Sequence, residues 1–162
     1  MPRTFRPGAV GAMMDEYERA ASDLKTILGR ISDEQYSSVV DPEAQDEDCR
    51  SIQTIMKHVV GAGYSYANYF RDHFGDPQVT HDRVLAPRAD CVRRLDEMLA
   101  FTERTLESHW MLTDAESNAA RILTRWGVTY DVEQLFEHAI VHILRHRRQI
   151  EKFLQKLEGL PV

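Results

Sequence analysis

Three of the seven histidines of this 162-residue chain fall at i, i+4 and i+8 in the segment EHAIVHILRHRRQ, as His138, His142 and His146. Residues four apart stack on one face of a helix, so two such imidazoles can converge on a single ion. Val132, Leu135, Phe136, Ala139, Ile143, Ile150 and Leu157 define the apolar face of that helix. At about 100° per residue, His146 lies within roughly 40° of the centre of this face, His142 roughly 80° away and His138 roughly 120° away. The better pair is therefore His142 with His146, and His138 turns toward solvent or a flank. A divalent ion needs a further ligand from another element, because three protein ligands plus water make an open catalytic site. His58, in SIQTIMKHVVGAGYSYANYF, is the best candidate; it shares a stripe with Ala62, Ser65 and Tyr69, and the small residues leave space for an ion and a ligand. His73, His81 and His109 fall at helix ends or in connections, where titratable surface or capping histidines are the ordinary finding.

The elements that must carry these residues follow from helical periodicity repeated four times, with Pro-, Gly-, Asp- and Ser-rich breaks between. A first helix is expected from near Gly11 to Ile31, with Ser32-Asp33 ending it or capping a short turn. An acidic loop, VVDPEAQDEDCR, leads to Ser51, which reads as the N-cap of a second helix from Ile52 to about Phe74. A third is expected from Arg88 to His109. After a connection from Trp110 to about Tyr130, Asp131 is a fair N-cap for the last, Val132 to about Leu157. No strand pattern competes. Each apolar stripe can be buried only against the others, so the expected fold is all-α, an antiparallel four-helix bundle, in one domain over residues 1–162.

Composition narrows the function. With 20 Lys+Arg against 26 Asp+Glu the net charge is −6, and the basic residues are interspersed with acids. Nucleic acid is not an expected partner, because phosphate binding needs clustered cations. No segment approaches ~20 uninterrupted apolar residues and the N-terminal dozen lacks a signal-peptide centre, so no membrane partner and a cytoplasmic location are expected. Cys49 and Cys91 have no CxxC spacing and read as reduced structural thiols. No Ser-His-Asp order, nucleotide-binding glycine loop or paired-carboxylate signature stands out. The wheel turns Arg145 and Arg148 outward and leaves Arg147 near the apolar face, where an inter-helix salt bridge is its expected role. Gln149 reads as ordinary packing ahead of contact to a ligand.

The string LFEHAIVHILRHRRQIEKF, with a helix-2 histidine in an S-I-x-x-I-x-x-H setting and Trp126-Gly127 leading into the last helix, resembles the DinB/YfiT-like family of metalloenzymes. The most specific part is H-x-x-x-H-x-x-x-H-R-x-Q-I, His138 to Ile150; Arg148 stands where relatives often carry glycine. The resemblance implies up-down-down-up connectivity and a divalent metal, zinc or nickel, held by His58, His142 and His146, with His138 as an extra, non-ligating histidine. It implies a homodimer too, for which a face of Tyr64, Met98, Phe101 or Trp110 is available. A three-histidine site with an open position either activates water, as in a hydrolase, or holds a low-molecular-weight thiol as thiolate, as in an S-transferase. The alternative is a non-catalytic helical binding or stress-response module whose metal is structural or absent. A closed structural site would recruit a fourth protein ligand, such as an acid or Cys91.

Overall fold

Local capping chemistry fixes where the two histidine-bearing helices start. At the head of Ile52–His73, the Ser51 hydroxyl accepts from the Thr54 N–H at 3.1 Å while the Ser51 N–H donates to Thr54 Oγ1 at 3.0 Å. At the head of Val132–Leu157, Asp131 Oδ1 accepts from the Gln134 N–H at 2.8 Å and the Asp131 N–H donates to Gln134 Oε1 at 3.1 Å. Each reciprocal pair satisfies donors that a helix start otherwise leaves without partners.

A computed structural model describes residues 4–161. It is mostly helical: α1 (Gly8–Leu28), α2 (Asp33–Ser37), α3 (Ile52–His73), α4 (Arg88–Leu106), α5 (Asp114–Ala119) and α6 (Val132–Leu157). A two-stranded antiparallel ribbon, β1 (Ile122–Leu123) and β2 (Thr129–Tyr130), pairs Ile122 with Tyr130 and Leu123 with Thr129. This ribbon corrects the strand-free expectation. Strands of two residues are too short to write an alternating pattern, and the turn between them depends on Gly127 at φ +81°, in the left-handed region. Ser32 caps the short α2, and the helix expected to reach His109 gives way after Leu106 to a 3-10 turn over Glu107–His109.

The long helices α1, α3, α4 and α6 share one apolar core, in which Leu24, Ile55, Leu95, Leu135, Ala139 and Ile150 are fully buried. Helix α1 packs on α6 and α4, and α3 packs on α4 and α6. Burying each aliphatic side chain contributes about 1.5–3 kcal/mol, so these stripes drive the assembly. The connection after α3 retraces that helix: Arg71 donates to the Pro77 carbonyl, Asn68 bonds both the N–H and carbonyl of Val79, and Gln53 donates to the Ala86 carbonyl. Helix α4 thus begins beside the start of α3. The N-terminal segment is tied down by Arg6, whose guanidinium bridges Asp15, Glu18 and Glu103, linking α1 to α4. No helix among the described residues is long and apolar enough to cross a membrane.

Of the residues suggested for self-association, Tyr64 and Trp110 are partly exposed and the other two are not. Met98 is wholly buried and Phe101 nearly so, because Met98 fills the space that Gly63 leaves between α3 and α4. A Cβ at position 63 would stand 2.2 Å from Met98 Sδ. Gly63→Ala therefore lowers stability by about 1–3 kcal/mol, read from denaturant midpoints, because the Met98 side chain has no vacant volume to move into.

Candidate metal centre

Helices α3 and α6 bring His58, His142 and His146 together. Each offers a ring nitrogen within 4.8 Å of the other two, and among the described residues no other group of three or more His, Cys, Asp or Glu side chains converges in this way. His58 Nε2 and His142 Nε2 are 2.9 Å apart. The ring centroids are separated by 4.9 Å (His58–His142), 5.0 Å (His58–His146) and 4.5 Å (His142–His146). His146 is buried, while His58 and His142 are partly buried at the floor of a cleft of about 360 Å³.

The protonation states suit a metal. Burial, followed by the charges of His146 and His58, pushes the His142 imidazole down to about 2. Burial and the charge of His58 push His146 down to about 4, against the opposing effect of its bond to Gln149. At neutral pH these rings are neutral, the form that ligates a cation. Outer contacts set the tautomers. His146 Nδ1 donates to Gln149 Oε1 at 3.0 Å, which leaves Nε2 as the free lone pair. His58 Nδ1 faces Asp48 Oδ2 at 3.6 Å. Burial raises the Asp48 carboxyl, but its hydrogen bond to Lys57 and the charges of Lys57, His58 and Arg83 outweigh this and hold it below the usual range.

The separations fit an ion as well. Two nitrogens bound to one ion at ~2.05 Å stand ~2.9 Å apart at a right angle and ~3.3 Å apart at the tetrahedral angle. The 2.9 Å between His58 and His142 meets the first value, and a few tenths of an ångström of ring rotation reaches the second.

His138 lies outside the ligand cluster and belongs to an aromatic wall. It stacks on Trp126 at 5.8 Å, meets Tyr66 edge-on at 5.6 Å and bonds the Tyr130 hydroxyl at 3.2 Å. Ala62 and Ser65 line the cleft as the small residues beside His58 suggested. His73 and His109 pack against Phe74, and His81 stacks on Tyr64, all away from the cleft.

Several positions differ from their sequence reading. Arg145 lines the cleft. Stepping back from His146 on the wheel, His142, Gln149, His138 and Arg145 fall at about 40°, 60°, 80° and 100° in one sense, so they share a flank, and the site occupies that flank rather than the apolar centre. Gln149 likewise contacts a ring of the cluster instead of merely packing. Arg147, on the opposite flank, makes the expected inter-helix bridge, to Asp23 at 3.0 Å. Cys91 is buried against Tyr36, whereas Cys49 lines the cleft beside Gln149, with burial raising its thiol. Asp48, Cys49 and Trp126 were invisible to spacing because they reach the site through loops. The pairing of Val39 with Ser51 and of the Val40 N–H with the Arg50 carbonyl folds the acidic loop back onto α3.

Residues 1–158 match the DinB family, and the chain belongs to it. A search of curated proteins returned no match.

The depressed histidines make stability pH-dependent. Unfolded imidazoles take up protons near pH 6.5, but folded His142 and His146 resist until about 2 and about 4. Between pH 6.5 and about 4 the unfolded chain binds more protons, so stability is full above this window and is lost as pH falls through it, by at most about 1.4 kcal/mol per pH unit per group. Thermal unfolding of metal-free protein at pH 7, 6 and 5 is expected to show a falling Tm, with a shallower fall in a His142→Leu, His146→Leu double variant. Replacing Gln149 by Leu is expected to weaken zinc affinity about 10- to 100-fold with little change in Tm, measured by chelator competition.

Proposed function

We propose that this chain is a divalent-metal-dependent enzyme of the DinB type, with zinc or nickel held by His58, His142 and His146 and an open coordination position that activates water or a low-molecular-weight thiol. On this reading α1, α3, α4 and α6 form a single-domain bundle with up-down-down-up connectivity. The return of the α3–α4 connection along α3 supports it, as do the pairs Gly63–Met98, Tyr64–Phe101 and Phe70–His109, which keep α3 and α4 in step.

The observation that carries the proposal is a set of three imidazoles, two of them kept neutral by burial, with Gln149 bonded to His146 and Asp48 standing 3.6 Å from His58, on the floor of a cleft where no fourth His, Cys, Asp or Glu among the described residues joins them. A closed structural site would have recruited that fourth ligand. A divalent ion bound there would lower the pKa of a coordinated water or thiol toward neutrality. The protein's part is to keep His142 and His146 unprotonated by burial, fix the lone pair of His146 through Gln149, and wall the cleft with Tyr66, Trp126 and His138. Homodimerisation belongs to the same reading, through a face other than Met98 and Phe101; exposed Val128 and Val141 line one open depression beside the ribbon.

Cobalt substitution tests ligand set and open position together. His146→Ala is expected to abolish the visible cobalt spectrum and His138→Ala to preserve it. Adding 2-mercaptoethanol to the wild-type cobalt protein should produce a sulfur-to-metal charge-transfer band. Equal loss in both variants would refute the ligand assignment, and an unchanged spectrum with the thiol would refute the open position.

A further inference from the structure

The cleft above the three histidines is rimmed by two arginines, Arg125 from the ribbon turn and Arg145 from α6. Neither guanidinium makes a hydrogen bond or ion pair with any described residue; Arg125 is anchored only through its backbone N–H, which donates to the Tyr69 hydroxyl at 3.0 Å. Arg147, on the other flank of α6, is by contrast engaged by Asp23. Asp46 is the one acid lining the cleft, and one of its oxygens accepts the Asp48 N–H at 2.9 Å, where it caps the 3-10 turn. The lining thus presents two uncommitted forked cations against one carboxylate in a chain whose net charge is −6, so the cleft carries a local excess of positive charge.

The same lining includes Trp126, 41% exposed and held face-on to His138, which offers a flat apolar wall. At about 360 Å³ the cleft is at the small end of ligand pockets. Guanidinium forks match carboxylate oxygens in geometry as well as charge.

We propose that the cleft takes a small carboxylate-bearing molecule whose acid group is held at the rim by Arg125 and Arg145, with its apolar part on Trp126 and its reactive end directed to the histidine floor. This rests on the metal-centre reading only for the reactive end; recognition of the carboxylate stands on the arginines alone.

The test compares 3-phenylpropanoate with the uncharged 3-phenylpropanamide, titrated into zinc-loaded protein and followed on the Trp126 indole N–H resonance. The wild type is expected to prefer the acid by at least about tenfold, and an Arg125→Gln, Arg145→Gln variant to lose that preference while retaining its zinc and its Tm. Arg148→Gln, at an exposed α6 position outside the cleft lining, is expected to behave as wild type. Equal binding of acid and amide by the wild type would overturn the proposal. So would a preference that survives in the double variant, because the carboxylate would then be bound by the metal. Repeating the titration on metal-free protein separates the two readings: absence of zinc with arginine-dependent preference intact defeats the metal centre alone, and zinc bound without preference defeats the carboxylate site alone.

Discussion

The arrangement depends on pressing three imidazoles together while His142 and His146 stay uncharged. Protonating any one of His58, His142 and His146 places a cation among rings whose nitrogens lie within 4.8 Å, in a partly buried setting with little water to screen it. Burial and neighbouring histidine charges drive His142 and His146 well below their ordinary values, which leaves ring lone pairs available to bind a cation. The helices are held in register by contacts remote from the site, including Gly63 against Met98 and Arg6 clasping α1 to α4. That scaffold sustains the crowding because its core is apolar and dense, so the cost of gathering the histidines is borne by packing elsewhere.

The centre is assembled from unequal parts. Helices supply the three histidines, and rigid elements with reciprocal caps position them. Loops supply what surrounds them: Asp48 and Cys49 from the turn before α3, Trp126 and Arg125 from the ribbon before α6. Loops accept substitution more readily than helix interiors, so the surroundings of the histidines can change without moving the rings themselves.

The same division explains what was legible in the sequence. The i, i+4 spacing of His142 and His146, the caps at Ser51 and Asp131, and the four apolar stripes are local signals, so the starts of α3 and α6 and the convergent pair could be read directly. His58 required a partner 84 residues away in the chain and was supported by its small neighbours and by the resemblance. Arg145 was misread because the wheel was centred on the apolar face, whereas the site lies on the flank shared by His138, His142 and Gln149. The place of Asp48 and Cys49 at the site left no trace, and that of Trp126 showed only through the resemblance, because a loop's path is set by tertiary contacts such as Val39 with Ser51, which no periodicity encodes. The two-residue strands were hidden by their brevity.

The central claim is that these three histidines hold an ion. Plasma mass spectrometry on protein purified without a histidine tag, beside a variant carrying His58→Ala, His142→Ala and His146→Ala, tests it most directly. The account predicts about one divalent ion per chain in the wild type and none in the variant. A wild type that stays metal-free after incubation with zinc and with nickel, or a variant that binds as much as the wild type, would contradict it.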